Sequence, residues 1–200
     1  MSDNNIELTS TISEDNKLEL ALNEIEIPQP GENQVVIRVE AAPINPSDLG
    51  VMFSAADMST ASQSGSADRP VISADVPAKF MGAVKKRVGK AIPVGNEGAG
   101  TVVAAGSSDA AQSLMGKTVA FIGGGSYRKY LCANVQSCLE MAPGTTADEA
   151  ASSFVNPLTS LAMVETMRAE GHKAIVHAAA ASNLGQMLNR ICLADGIDLV

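Results

Sequence analysis

The stretch Lys173-Ala-Ile-Val-His177-Ala-Ala-Ala180-Ala-Ser182-Asn-Leu-Gly185-Gln-Met-Leu-Asn-Arg-Ile-Cys-Leu193 changes its hydrophobic period within a few residues. Ala174 to Ala178 form a short apolar run suited to a strand buried on both faces. Leu184, Met187, Leu188 and Ile191 then recur at the i, i+3, i+4, i+7 spacing of an amphipathic helix. The stretch reads as strand, tight turn, helix. Between the two lie small residues, and Ser182 and Asn183 can cap the helix. Free backbone N–H groups and the positive end of the helix dipole then face whatever lies above the turn. An anion, most simply a pyrophosphate, fits there.

The dinucleotide fingerprint is G-x-G-x-x-G, and placing its last glycine on Gly185 puts Ala180 and Ser182 where the first two glycines belong. An ordinary strand-to-helix connection, with small residues for close packing, explains the stretch equally well. The rest of the chain has to separate the two.

Working outward, 200 residues with 46% apolar content are ample for a folded core, in one large domain or two small ones. The net charge of -8 and a pI near 4.7 speak against nucleic acid or an anionic membrane as partner, because both call for a dominant basic face. Acids near the N-terminus, where a secretory signal carries bases, and the lack of a bilayer-length apolar run predict neither export nor insertion. Cys132, Cys138 and Cys192 are odd in number and widely spaced, as expected of reduced thiols in a cytoplasmic protein.

In chain order, Leu18 to Leu22 and Ile25 to Ile27 alternate and stop at Pro28-Gln-Pro30-Gly31, predicting paired strands closed by a turn. Gln34 to Ala41 is a further strand, with Val35, Ile37 and Val39 on a buried face and Val36, Arg38 and Glu40 toward water. Asn45 as N-cap, Pro46 at the first helical position and Asp48 in the first turn open a helix. Ser54 to Asp68 is small, polar and unpatterned, and reads as a mobile loop. Lys79 to Lys90 collects five of the fourteen basic residues without an acid, either a solvated basic face or the lip of a groove for an anionic ligand. Gly95, Gly98 and Gly100 let backbone approach backbone around Glu97, whose carboxylate needs a partner.

The order Val36-Ile-Arg-Val-Glu-Ala-Ala-Pro-Ile-Asn45-Pro-Ser-Asp48, Gly95-Asn-Glu97-Gly-Ala-Gly100-Thr-Val-Val103, Gly116-Lys-Thr-Val119, Gly125-Ser-Tyr-Arg-Lys-Tyr130 and Ala180-Ala-Ser-Asn-Leu-Gly185 resembles the medium-chain dehydrogenase/reductase superfamily. Within it the chain looks most like the zinc-independent NADPH:quinone oxidoreductases. The resemblance runs from about Leu18 to Val200. It implies an α/β fold with a β-rich part, in which a GroES-like β-barrel domain (1–150) precedes the start of a doubly wound Rossmann domain (151–200). Zinc-dependent members hold their catalytic metal with a cysteine, a histidine and a later cysteine. Matched motif by motif, these fall on Asn45, Asn96 and at or near Val155, none of them a zinc ligand. The four-cysteine structural lobe is missing too, so the resemblance implies no zinc at either site.

Thr146-Ala-Asp-Glu149 has the form of a capping box, and Asn156 is expected to cap a second helix with Pro157 at its first position. Leu158, Leu161, Met163, Val164 and Met167 cover most of that helix, which predicts burial between two layers. Ile197 to Val200 looks like the start of a second parallel strand. A complete Rossmann domain needs more strands and helices to cover its sheet, so a fragment of a longer protein is expected.

The implied activity is hydride transfer from NADPH, with NADH not excluded, to a quinone or other conjugated carbonyl. Asn45, Asp48 and Tyr130 are the expected catalytic group. Asn45, Asn156, Thr159, Ala180, Ala181, Ser182, Asn183, Leu184 and Gly185 are the expected cofactor contacts. Helix capping alone also accounts for Asn45 and Asp48, and Glu97, Tyr127, His172 and His177 read as structural. A homodimer is implied for the full-length protein. Two other readings stay open, an enoyl-thioester reductase of the same superfamily and a non-catalytic binding module.

Overall fold

The computed structural model describes residues 4–200. The backbone divides into two compact units, Met1–Ala151 and Ser152–Val200.

The first unit runs β1 (Asn5–Ile12), β2 (Lys17–Ile25), β3 (Gln34–Ala41), α1 (Pro46–Phe53), β4 (Asp57–Ser66), β5 (Arg69–Asp75), α2 (Met81–Val84), β6 (Ile92–Pro93), β7 (Glu97–Ala105), α3 (Asp109–Gln112), β8 (Thr118–Ile122), β9 (Tyr130–Asn134), β10 (Cys138–Glu140) and α4 (Ala147–Ala150). These strands make two antiparallel five-stranded sheets, ordered β4-β5-β2-β1-β6 and β10-β8-β7-β3-β9. In the second sheet Ile37 lies opposite both Val102 and Leu131, and Val35 opposite Ala133. With Val119 and Phe121 they form one fully buried cluster, each large side chain contributing roughly 2 kcal/mol by leaving water. The other sheet packs Ile12, Leu18 and Leu20 against Met52, Val76, Val84 and Val94.

β1 joins the two sheets. It pairs along its length with β2, and its backbone also bonds the segment that enters β9, through Leu8 N–H to Tyr127 O (2.9 Å) and Lys129 N–H to Ile6 O (3.0 Å). The Asn5 side chain completes the seam by acting as a neighbouring strand would. Its Nδ2 donates to Tyr130 O (2.8 Å), and its Oδ1 accepts from Tyr130 N–H (2.9 Å). A half-buried ion pair of Arg128 with Glu7 (2.8 Å) reinforces it.

Several expectations change here. Leu18 to Ile27 is not a self-paired hairpin. β2 is one continuous strand paired with β1 on one side and β5 on the other, and the turn from β1 into it is at Ser13–Asn16, where Asn16 takes φ 58°. Val36 is buried rather than facing water, because β3 is flanked by β7 and β9 and also packed by α4. The predicted loop after Ser54 is largely the strand β4, exposed at every residue and held by backbone pairing with β5, which no hydrophobic pattern reports. In the basic stretch Arg87 turns inward, donating to Val51 O (2.8 Å) and Ser10 Oγ (3.1 Å).

The second unit holds α5 (Val155–Ala169), β11 (Ala174–Ile175), α6 (Asn183–Asp195) and β12 (Asp198–Leu199). β11 and β12 pair in parallel, the β-α-β unit that the quoted stretch predicts. The first strand is shorter than the apolar run, though His177 N–H still reaches Val200 O (2.8 Å). α5 starts one residue before Asn156, so Asn156 and Pro157 lie inside its first turn, where a proline's missing N–H has no intrahelical acceptor to lose. Only one face of α5 is covered. Val164 packs on Leu188 and Cys192 of α6, while Leu158 and Leu161 are 51% and 47% exposed, against the predicted burial between two layers. Among the described residues no helix is long and apolar enough to cross a membrane.

Candidate functional site

In the first unit, two carboxylates and two carboxamides meet where α1 begins and the turn before β7 ends. Pro46 ends the extended chain and starts α1, and the Asp48 carboxylate accepts the Asn45 backbone N–H (2.7 Å) as the reciprocal half of a capping box. That bond fixes the Asn45 side chain, whose Nδ2 donates to Glu97 Oε1 (2.9 Å). Glu97 is 1% exposed, Asp48 1% and Asn45 6%. Asn96 Nδ2 donates to the other Asp48 oxygen (2.7 Å) and to Ser47 Oγ (3.1 Å). Each amide therefore donates to a carboxylate.

Gly95 makes this convergence possible. Its φ is 96°, and a Cβ there would come within 2.1 Å of Ser126 Oγ and 2.9 Å of Tyr127 N. The close approach brings Tyr127 alongside, where its hydroxyl donates to Pro43 O (2.8 Å). Burial, reinforced by the nearby Asp48 carboxylate, pushes the Tyr127 phenol well above its ordinary range and keeps it a neutral donor.

The structure thus brings Asn45 and Asp48 together, and adds Asn96, Glu97 and Tyr127. Tyr130 differs in that its backbone is held by the Asn5 side chain. Motif matching marks Asn96 only as a position without a zinc ligand, and the structure adds its bond to Asp48. Its signal was the adjacent acid, because a turn amide beside a strand that turns Glu97 inward lies within reach of the helix-capping carboxylate. Among the described residues no three or more His, Cys, Asp or Glu are grouped to hold a metal ion.

In the second unit, Ser182 caps α6 by accepting from Gly185 N–H (3.0 Å). A Cβ on Gly185 would lie 2.5 Å from Ala179 O and 2.6 Å from Ala180 O, so the turn closes onto the helix at a position only glycine fills. Ser160 of α5 donates to Leu184 O (3.1 Å), fixing the turn from below. By helix geometry the N–H groups of Asn183 and Leu184 have no intrahelical acceptor, and they lie at the positive end of a 13-residue helix. Ala180, Ala181, Ser182 and Asn183 are exposed, as an anion would require. In α5, Asn156 and Thr159 are half-buried, and the Thr159 hydroxyl donates to Val155 O. His177 accepts from Ala179 N–H (3.2 Å) through Nδ1, a role inside the turn, and His172 pairs with Glu170 (3.2 Å) at the surface.

Two linked sheets with a buried amide–carboxylate group at the α1 and β7 ends, followed by a β-α-β unit, define a recognisable class of protein. The sequence profile of the alcohol dehydrogenase GroES-like domain matches residues 31–143, and the chain belongs to that family. Among solved structures, it is similar to a protein from Mesorhizobium loti provisionally described as an NADPH:quinone reductase, with 28% identity, a TM-score of 0.69, and coverage of 100% of this chain and 54% of that one. A quinone oxidoreductase from Coxiella burnetii gives 19% identity and a TM-score of 0.64, covering 98% of this chain and 55% of that one. The CurK enoyl reductase gives 18% and 0.69, covering 98% and 53%. At these lower identities the likeness speaks for the fold. The chain spans about half the length of the solved structures it matches. No curated protein matches it.

Proposed function

We propose that the protein is an NADPH-dependent oxidoreductase that delivers hydride to a quinone or another conjugated carbonyl without a catalytic zinc. The observation that carries this reading is the amide–carboxylate group. At Asn45 and Asn96, where the resemblance places a cysteine and a histidine in zinc enzymes, stand carboxamides whose nitrogens donate to Glu97 and Asp48. A carboxamide nitrogen is no zinc ligand. The likeness to the Mesorhizobium loti protein provisionally described as an NADPH:quinone reductase supports the cofactor class.

Bound NADPH would supply the hydride, and the chain's own residues do the rest. The α6 N-terminus, with Ala180 to Gly185, receives the pyrophosphate, and Asn156 and Thr159 border the nicotinamide end. Asn45 or Tyr130 donates a hydrogen bond to the oxygen on which charge develops. Asp48 and Glu97 hold the Asn45 segment so that this donor needs no reorganisation. We assign residues 1–150 to the substrate domain and 151–200 to the opening of the dinucleotide domain, in a cytoplasmic, homodimeric enzyme.

The test is titration of the longest product of the gene with NADPH, followed by nicotinamide fluorescence, repeated with NADH and joined to a metal analysis. Saturable NADPH binding, turnover of a quinone series and no bound zinc are expected. Turnover of crotonyl-CoA without quinone activity would replace this reading by enoyl-thioester reduction. Failure to bind either nicotinamide would leave a non-catalytic binding module.

A further inference from the structure

We propose that residues 78–90 form a docking platform for a protein partner that presents an acidic helix. The run comprises the 3₁₀ turn Ala78–Phe80, α2, the 3₁₀ turn Lys85–Arg87 and the chain that leads on to β6. Its outer side carries Lys79, Phe80, Lys85, Lys86 and Lys90, all exposed. Its inner side is fixed at several points. Met81, Val84 and Val88 pack into the cluster around Ile12 and Leu18, Gly89 N–H donates to Ile12 O (2.8 Å), and Arg87 donates to Val51 O and Ser10 Oγ. The lysines therefore stand on a framework set by the core.

The run is set apart by its lack of counter-charge. Six of the nine bases elsewhere, Lys17, Arg38, Arg69, Lys117, Arg128 and Arg168, form ion pairs with carboxylates. Among the described residues none of the five bases in this run does, although the chain has 22 acids, and the acid just before it, Asp75, is taken by Lys17 (2.6 Å). A merely solvated face intersperses both signs, and this one does not. Like charges gathered on one side repel one another, and an acidic surface laid over them relieves that repulsion while adding its own attraction. Phe80 is 43% exposed, with Lys79 Nζ 5.0 Å from its ring centroid, and supplies an aromatic anchor within the charged field.

The chemistry of the run selects among anionic partners. The mixed α and 3₁₀ rise sets Lys79 and Lys86 about 10–14 Å apart, the separation of acids two turns apart on a helix and too far for one phosphate to bridge. Phosphate is gripped best by a guanidinium fork, and the arginine of this run, Arg87, is turned inward. A bilayer needs a broad apolar face, whereas the large apolar side chain exposed here is Phe80 alone. Nucleic acid meets the field of a chain with net charge -8. A protein docks through a patch of this size, at distances where screening hides the rest of the chain. Gly82 and Ala83, exposed between the lysines, leave room for a helix backbone, and a Cβ on Gly82 would meet nothing within 4 Å.

Fluorescence anisotropy of the full chain with a labelled synthetic helical peptide tests this. The peptide carries Glu at i, i+3 and i+7 and one Leu, and a second peptide has Gln in place of every Glu. The Gln peptide is expected to bind about tenfold more weakly or worse, with the difference gone at about 1 M salt, where the screening length is about 3 Å. Lys86→Glu is expected to weaken binding of the acidic peptide about tenfold with an unchanged melting curve. Lys173→Glu, which changes the net charge equally at an exposed lysine of the second unit, is expected to leave binding unaltered. Phe80→Ala is expected to lower affinity while keeping the salt dependence. No binding, equal binding of both peptides, indifference to Lys86→Glu or an equal effect of Lys173→Glu would overturn the proposal. So would displacement of the peptide by an equimolar amount of inorganic pyrophosphate, the mark of a small-anion site. Sedimentation of the chain with phosphatidylserine vesicles, abolished by Lys86→Glu, would replace the protein partner by a membrane surface.

Discussion

Replacing Asn45 by alanine tests whether the buried amide–carboxylate pair holds the candidate site together. The amide nitrogen lies 2.9 Å from a Glu97 oxygen, and both residues are almost fully buried. A hydrogen bond to a charged group contributes about 1.5–3 kcal/mol, and removing one partner leaves part of the carboxylate's desolvation uncompensated. The expected loss is about 3 kcal/mol, or about 6–12 °C in melting temperature for a chain of this size. Glu97→Gln keeps an acceptor oxygen opposite the Asn45 N–H and should lose less. The decisive measurement is a double-mutant cycle of Asn45→Ala and Glu97→Ala by urea denaturation. A coupling of about 1–3 kcal/mol is expected for a contacting pair. Additive effects, within about 0.5 kcal/mol, would refute the argument that Glu97 fixes Asn45.

Gly185→Ala places a methyl against Ala179 O and Ala180 O; a cost of about 1–3 kcal/mol in the second unit is expected, together with loss of any NADPH binding, by melting and titration. Ser182→Ala removes the α6 cap and should cost about 1 kcal/mol, read most directly as faster amide exchange at Gly185. Burial, with Cys132 nearby, pushes the Cys138 thiol up to about 11. The folded state then holds that proton more tightly than the unfolded chain, whose thiol titrates near ~8.5. Its stability contribution is complete below the unfolded value and is lost as pH rises toward the folded one. With screening at a partly exposed thiol the loss is about 1 kcal/mol, so melting curves from pH 8 to 11 should fall more steeply for the wild type than for Cys138→Ala.

What the chain discloses depends on whether burial and chemistry coincide in the same residues. β3, the start of α1, the Thr146 capping box and the turn into α6 are legible because each rests on local side-chain chemistry. β1 is silent, since its fully buried positions include Asn5, Thr9 and Ser10, whose partners lie in distant strands. β4 is silent for the opposite reason, as it buries nothing. The candidate site is half legible. The Asn45–Asp48 capping pair is local, whereas its ties to Asn96, Glu97 and Tyr127 depend on the backbone approach at Gly95. For α5 the apolar count overstated its burial, because periodicity shows which face is apolar without showing what covers it.

The seam made by β1 has a consequence for how the first unit is assembled. Residues 5–8 find their second set of partners at 127–130, so a loop of more than a hundred residues must close before the strand is bonded on both sides. Closure over that distance costs chain entropy that no local contact offsets in advance. On the ribosome, β1 and β2 can pair early, but the barrel stays open until Tyr130 has left the exit tunnel. Folding of this unit should therefore be a late, cooperative event, with the Asn5 side chain among the last groups to find its place.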